Sequence, residues 1–226
     1  MRVFNRLALL AGTAILAALI GGHLNALHPA FDSLSHFRLH LAVAGVALAL
    51  LLAVMRHALG AAALGVISAL SLALTVWPAL EFGNEKPAAE TGASYRLIQA
   101  NLRFDNRTPE EFLRLLAREQ PDVVTVQEVS ESWLPKLAAI SASWPHRLIC
   151  PGTNRVGGVA ILSRRPFAPG GLSACAHSGA LGIATIDFNG ANLTIATVHL
   201  KWPWPHGQPR QLAAMAADFR AMKDAG

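Results

Sequence analysis

The sequence predicts an α/β domain preceded by three transmembrane helices, and three observations support this fold class. Charged residues make up only 15% of the 226 residues, against about 25% in an average globular protein. The deficit is concentrated in the first 80 residues, where long apolar runs follow one another. After residue 95, short apolar runs alternate with helix-like segments, which is the pattern of an α/β fold. The apolar content of 53% excludes a disordered chain.

Three apolar runs in the N-terminal part predict membrane spans at residues 5–22, 38–55 and 58–80. A helix needs about 20 apolar residues to cross a bilayer, and about 17 are tolerated. Because Arg2 and Arg6 precede the unbroken stretch of apolar and small residues Leu7–Ile20, this first segment alone is also compatible with a signal peptide. The two later runs favour a multi-pass anchor, so we expect residues 5–80 to lie in a lipid bilayer.

The distribution of arginine predicts the orientation of this anchor. Arg2, Arg6 and Arg56 fall on one side, which is the cytoplasmic side by the positive-inside rule. Three crossings then place the rest of the chain outside the cytoplasm, at a cell inner membrane or plasma membrane. Disulfides form in such a compartment, so Cys150 and Cys175 either pair or remain two buried free thiols.

Charge and cysteine content exclude two classes of function. The net charge of +5 is small and its basic residues are scattered, unlike the dense basic stripe of a protein that binds nucleic acid through phosphates alone. The two cysteines show no zinc-binding spacing. A modest positive charge suits an anionic substrate or a membrane surface.

Residues 81–94 are small and polar and predict a linker, and the α/β domain follows at residues 95–226. Tyr95–Ala100 and Val123–Val126 predict two strands of a βαβ unit, joined by a helix that starts at Thr108-Pro109 with a capping box. Asn189-Gly190 predicts a hairpin turn. Further strands are expected at residues 147–150, 158–163, 181–188 and 193–200, and further helices at residues 132–141 and 210–223.

Three polar residues follow apolar strands directly and are the candidate functional residues: Asn101, Glu128 and His199. The carboxyl ends of strands are where α/β sheets gather their functional groups. A carboxylate beside an amide oxygen suits Mg²⁺, which takes hard oxygen ligands and keeps several waters. The alternatives are structural: asparagine forms turns, a lone glutamate is often a solvated loop residue, and a histidine after a strand is often a satisfied structural side chain.

Four motifs in order resemble the endonuclease/exonuclease/phosphatase superfamily, which includes DNase-I-like nucleases. They are Q-A-N-L (99–102), V-Q-E-V (126–129), G-V-A-I-L-S-R (158–164) and T-V-H-L (197–200). The resemblance covers residues 95–225. It implies a partial four-layered α/β sandwich and the hydrolysis of phosphate esters with Mg²⁺ or Mn²⁺.

The resemblance also implies roles for single residues. Glu128 would be the principal metal ligand, and Asn101 would belong to the metal and phosphate site. His199 would hydrogen-bond the scissile phosphate. Ser163 and Arg164 would be structural rather than catalytic.

The chain departs from the family pattern after its last predicted helix. The family has a G-D-x-N strand end and later an aspartate–histidine pair, whereas Asp218 and Asp224 lie within that helix. We therefore expect an incomplete domain, from a truncated chain, that lacks hydrolase activity by itself.

Two hypotheses follow from these observations. The first is a membrane-tethered, outward-facing phosphoesterase acting on nucleic acid or a lipid headgroup. The second is a non-catalytic membrane module that retains the sandwich for binding or structure. Trp202 and Trp204 follow His199 closely, and they would stack on bases, enter lipid, or pack a rigid loop.

Overall fold

The computed structural model of the chain describes residues 2–84 and 93–224. The chain forms two compact units. The helical unit comprises residues 1–89 with 201–209, and the α/β unit comprises residues 90–200 with 210–226. Residues 85–92, which include most of the predicted linker, lie outside the described residues.

The helical unit contains the three runs predicted as spans, each in a helix. They form α1 (Arg2–His23), α3 (Arg38–Val54) and α4 (Ala58–Asn84), so the last of them continues four residues beyond its expected end. In the described residues, α1 and α4 are long and apolar enough to cross a membrane. An additional short helix, α2 (Pro29–Ser35), precedes α3 at an angle of 67°, and the bent pair together satisfies the same test. Length and composition therefore support two spans, or three if the bent pair is one.

Small residues allow the apolar helices to pack closely. Gly45 on α3 faces Ser68 on α4 so tightly that an added Cβ would lie 2.1 Å from the Ser68 hydroxyl oxygen. Close backbone approach at small residues is typical of helix packing in membranes. A cluster of buried apolar side chains joins the three long helices: Ala8, Ala49, Leu52 and Leu64.

The segment 201–209 also belongs to the helical unit. The ring of Trp202 lies 4.6 Å from the ring of His36 and 6.0 Å from that of Phe37, measured between centroids. The backbone of Trp204 donates to the Ser33 hydroxyl (3.0 Å), and that hydroxyl donates to the Trp204 carbonyl (3.2 Å). These contacts attach the segment to α2 and to the start of α3.

The α/β unit contains two sheets. The first is mixed and has the strand order β1 (Leu97–Asn101), β2 (Val123–Val129), β4 (Gly158–Ser163), β3 (His146–Cys150). The pair β1–β2 is parallel, as the βαβ pattern predicted. The second sheet is antiparallel, with the order β5 (Ser173–Ala176), β6 (Leu181–Phe188), β7 (Ala191–Val198). The predicted hairpin joins β6 to β7, and both Asn189 and Gly190 have positive φ.

Helices cover the outer face of each sheet, so the unit has four layers. Helices α5 (Pro109–Glu119) and α6 (Leu134–Ala139) pack on the first sheet, and α7 (Gln208–Asp224) packs on the second. Apolar side chains from both sheets fill the space between them: Val123, Ile161, Ala184, Ile186, Phe188 and Ile195. Because β2 and β4 are covered on both faces, they have continuous apolar sequences rather than alternating ones. This architecture confirms the predicted α/β fold class and its sandwich form.

Local details differ from the sequence prediction. The expected capping box is absent at α5: Thr108 occupies the N-cap position without a side-chain capping bond, and Asn106 accepts from the Thr108 backbone instead. Strand β5 was not predicted, because it is a short edge strand whose first three side chains are exposed. Strand β2 runs three residues past its expected end at Val126 and therefore includes Glu128.

Cys150 and Cys175 form a disulfide, with their Cα atoms 5.3 Å apart. Of the two alternatives that the sequence left open, the structure has the paired form. The bond links the end of β3 in the first sheet to β5 in the second. It therefore fastens the two sheets together at one edge.

Candidate functional site

The structure brings the three candidate residues together. Asn101 is the last residue of β1, Glu128 lies near the end of β2, and His199 directly follows β7. The Asn101 amide nitrogen Nδ2 donates to Glu128 Oε1 over 2.8 Å. The His199 ring nitrogen Nε2 lies 3.5 Å from the same carboxylate oxygen. An amide, a carboxylate and an imidazole from both sheets thus meet at one end of the sandwich.

A β-bulge places Glu128 in this position. Gln127 pairs with Val159 and Val129 pairs with Gly158, so Glu128 is an extra residue without a partner in β4. Its φ is +60°, in the left-handed region that costs a residue with a side chain about 1–2 kcal/mol. Bulges occur next to active sites, where they redirect a side chain. The strained backbone of Glu128 is consistent with such a functional position.

Backbone N–H groups of the loop after β1 also hold the side chains of Glu128 and Asn101. Phe104 N donates to Glu128 Oε2 over 2.9 Å, and Arg103 N donates to Asn101 Oδ1 over 2.9 Å. Arg103 also has a positive φ, of 56°. Both carboxylate oxygens of Glu128 therefore accept a hydrogen bond, and its side chain is only 18% exposed.

The donor set fits a divalent ion in part. Each oxygen of Glu128 retains a lone pair, and Mg²⁺ often takes one or two carboxylates and several waters. Asn101 turns its NH₂ group, not its oxygen, toward Glu128, so the two side chains do not present two oxygens to a shared ion in this conformation. No group of three or more histidine, cysteine, aspartate or glutamate side chains suited to a metal occurs within residues 2–84 and 93–224. Glu128 is the residue that would hold the metal, and the role of Asn101 as a ligand stays a prediction.

A hydrogen-bonded chain of two amides and a hydroxyl runs through the strands that carry the site, and the sequence pattern did not predict it. Gln99 Nε2 donates to Gln127 Oε1, and Gln127 Nε2 donates to Thr197 Oγ1 over 2.8 Å. Gln127 and Thr197 are almost fully buried. Their strands β1, β2 and β7 carry Asn101, Glu128 and His199. The sequence shows polar residues in these strands but carries no signal that Gln99, Gln127 and Thr197 bond to one another.

The α/β unit has a cavity of about 720 Å³ whose lining includes Phe104, the residue whose backbone N–H donates to Glu128. The Arg155 guanidinium carbon lies 4.8 Å from the centre of the Phe104 ring, and both residues line the cavity. Ser130 and Ser132 line it as well, and their hydroxyls bond to each other and to the Phe104 carbonyl. The cavity thus offers the Arg155 cation, the Glu131 carboxylate, an aromatic face and hydroxyls.

The loop after β1 also carries a surface ion pair. Arg103 Nε donates to Asp105 Oδ1 over 2.9 Å, and this hydrogen bond holds the pKa of the exposed Asp105 carboxyl below its ordinary value. Exposed pairs of this kind contribute little to stability.

Ser163 and Arg164 make contacts of a structural kind. The buried Ser163 hydroxyl accepts from Arg165 N over 3.0 Å, and Arg164 donates to the Gln120 carbonyl over 3.2 Å. Gln120 ends α5 in a left-handed conformation. Both residues therefore fasten the end of β4 to neighbouring backbone.

The four layers and the strand-end site define a sandwich of the DNase-I-like class. The model of the Endonuclease/Exonuclease/phosphatase family matches residues 98–225. Since this match covers more than half of the chain, the chain belongs to the endonuclease/exonuclease/phosphatase family. Membership supports a hydrolase of the phosphoesterase or nuclease type.

Solved structures share the fold at low sequence identity. TDP2 from Caenorhabditis elegans, as selenomethionine protein, is 14% identical with a TM-score of 0.50, covering 70% of this chain and 54% of that one. D. rerio TDP2 complexed with single strand DNA product is 22% identical with a TM-score of 0.46, covering 56% and 54%. An endonuclease/exonuclease/phosphatase family protein from Leptotrichia buccalis C-1013-b is 14% identical with a TM-score of 0.38, covering 55% and 63%.

The chain spans a little over half the length of these solved structures. No curated protein matches it. At these identities the similarity concerns the fold alone.

Proposed function

We propose that this protein is a membrane-tethered, divalent-metal-dependent hydrolase of phosphate esters. The observation that carries the proposal is the grouping of Asn101, Glu128 and His199 at one end of the family's fold, with Glu128 held in a strained bulge. Glu128 does not lie in a turn or at a helix end, where left-handed residues are common, and strained backbone inside a strand is often found at functional sites.

Each of the three side chains has a distinct part in this proposal. Glu128 would hold Mg²⁺ or Mn²⁺, which when bound neutralises phosphate charge and lowers the pKa of water. Asn101 and the Phe104 backbone N–H orient the carboxylate through their hydrogen bonds. His199 faces the same carboxylate, so its Nε2–H can donate to a phosphate oxygen where negative charge accumulates. The substrate class is a phosphodiester of nucleic acid or of a lipid headgroup.

We also propose that these 226 residues alone have little or no hydrolase activity. Among the described residues, Glu128 is the carboxylate that contacts Asn101 and His199, and no second carboxylate contacts them. With Glu128 holding the metal and His199 donating to the phosphate, no further carboxylate at the site would act as general base for the attacking water. The alternative function, a non-catalytic membrane-anchored module that uses the sandwich for binding or structure, rests on this same incomplete set of groups.

The proposed topology has three spans with the α/β unit outside the cytoplasm. Ser33 and Trp204 are in contact and therefore lie on the same side of the membrane. This supports an odd number of crossings from the N-terminus to each of them. Ser33 follows one crossing, and Trp204 follows two or three, so both lie on the same side only if α3 also crosses. The Cys150–Cys175 disulfide is typical of oxidising compartments and supports the same side.

Metal binding by Glu128 variants tests the proposed site. We expect the full-length chain in detergent to bind Mn²⁺, observed by electron paramagnetic resonance, and Glu128→Gln to weaken binding at least about tenfold because it removes the charged ligand. Glu110→Gln on the exposed start of α5 is the matched control and should bind like the unmodified chain. Equal binding by all three proteins would contradict a metal site at Glu128.

Hydrolysis of a chromogenic phosphodiester by the same proteins separates the two functions. Metal binding without turnover supports the proposed low activity of these residues alone. Turnover that Glu128→Gln removes would contradict the low activity and support the hydrolase. Absence of both metal binding and turnover favours the non-catalytic module.

A further inference from the structure

The helical unit carries an aromatic group at the bend between α2 and α3, defined here as the aromatic cluster: His36, Phe37, Trp202 and Trp204. The Trp202 ring is tilted by 37° against the His36 ring at 4.6 Å. Two hydrogen bonds between Ser33 and the Trp204 backbone fix the second tryptophan in place. The cluster is therefore held by packing of rings and by backbone hydrogen bonds.

The rings of this cluster remain open to their surroundings although they are large and apolar. Phe37 is 49% exposed, Trp202 40% and Trp204 54%. Contiguous exposed aromatic surface marks a site of interaction. Tryptophan combines an apolar ring with a polar N–H, so it suits a boundary between hydrocarbon and water.

The position of the cluster along the chain indicates where the boundary between hydrocarbon and water lies. Phe37 immediately precedes α3, whose seventeen residues Arg38–Val54 have a mean composition apolar enough to enter a bilayer with α2. Tryptophan is enriched at this level of a membrane protein. Arg38 follows Phe37 and Lys201 precedes Trp202 in the sequence, so basic side chains flank the aromatic residues.

We propose that segment 201–209 is a lipid-binding loop, with Trp202 and Trp204 lying in the headgroup region of the bilayer beside Phe37. The occupant of this surface is the bilayer interface, not a protein or a nucleic acid. The loop begins two residues after His199 in the sequence. The inference rests on the proposed membrane anchoring and is independent of catalysis.

Quenching of tryptophan fluorescence by brominated lipids tests the loop in the full-length chain. The chain is reconstituted in vesicles of equimolar phosphatidylcholine and phosphatidylglycerol, with bromine placed either near the headgroup or near the chain end. The Trp77→Phe variant reports on Trp202 and Trp204, because Trp133 and Trp144 are buried in the α/β unit. We expect quenching that is stronger with shallow than with deep bromine, and its loss in Trp77→Phe/Trp202→Phe/Trp204→Phe.

A matched variant separates failure of the loop from failure of the anchor. Trp202→Phe/Trp204→Phe retains Trp77, which is 63% exposed on α4 and reports insertion of that helix. Quenching of Trp77 without quenching of Trp202 and Trp204 would overturn the lipid-binding loop and leave the anchor intact. Quenching of neither would overturn both. Quenching of Trp202 and Trp204 by single-stranded DNA instead of brominated lipid would also overturn the proposal, since the rings would then serve to stack bases.

Discussion

At the scale of single residues, Glu128 combines a chemical group with an unfavourable backbone. Its carboxylate accepts bonds from Asn101 and Phe104 on separate oxygens, and its φ of +60° belongs to a bulge in β2. Neighbouring Gly157 also has a positive φ, and an added Cβ there would lie 2.1 Å from the Val129 carbonyl oxygen. The bulge therefore packs against backbone that admits little adjustment.

Because of the backbone strain at Glu128, a glycine variant at this position should be more stable than an alanine variant, which reverses the usual order of stability. We expect Glu128→Gly to be more stable than Glu128→Ala by about 1 kcal/mol, because glycine adopts positive φ without steric cost. Urea unfolding of the full-length chain, followed by the fluorescence of the buried Trp133 and Trp144, measures this difference. Glu131, whose φ is not positive, serves as the control, and its alanine variant should be at least as stable as its glycine variant. If the alanine variant were at least as stable as the glycine variant at both positions, strain at Glu128 would be contradicted.

At the scale of elements, the hydrogen-bonded chain Gln99–Gln127–Thr197 joins the three strands that carry or lead to the site residues. Gln127 donates to Thr197 across the two sheets, where both side chains are shielded from water. A buried polar group that loses its partner costs about 1–3 kcal/mol. This chain therefore fixes the spacing between the end of β2 and the end of β7.

A double-mutant cycle on this bridge should show strong coupling. We expect Gln127→Leu and Thr197→Val each to destabilise the full-length chain by about 2 kcal/mol, since each leaves a buried group unsatisfied. The double variant should cost less than the sum of the two, because it leaves fewer orphaned groups. Urea denaturation gives the three free energies of unfolding. Strictly additive effects would show that the bridge does not couple the strands.

The sequence predicted the elements that have strong periodicity or clear turn residues. Strands β4 and β6 fall at the expected residues because both are fully covered apolar runs, and the Asn189-Gly190 turn fixes the hairpin. Strand β5 and helix α2 were missed because they are short and their packing depends on distant segments. Asn101, Glu128 and His199 were found from their places after apolar strands. The bulge and the buried amides could not be found, since both depend on pairing between β2 and strands far away in the sequence.

At the scale of the whole molecule, one chain combines a unit of apolar helices with an α/β unit of four layers. Each of the two units has its own core: apolar helices with small residues in one, sheets covered by helices in the other. The disulfide between β3 and β5 belongs to the unit that we place outside the cytoplasm. The proposed location of the α/β unit thus depends on the orientation of the helices in the membrane.

Reporter fusions test this orientation directly. In a bacterial host, we expect alkaline phosphatase fused after α7 to be active, since that enzyme requires its own disulfides and folds outside the cytoplasm. The same reporter fused at the turn between α3 and α4, near Arg56, should be inactive because basic turns remain inside. Activity at Arg56 and not after α7 would contradict the proposed topology.

The backbone of Glu128 also has an evolutionary consequence. Random substitution at a left-handed position drifts toward glycine or asparagine, which occupy it at lower free energy. A lineage that keeps glutamate there would do so against that drift, and selection for its negative charge would be the simplest reason. Descendants that no longer use the carboxylate should lose it early, so the identity of this one residue would report whether a lineage still performs the ancestral chemistry.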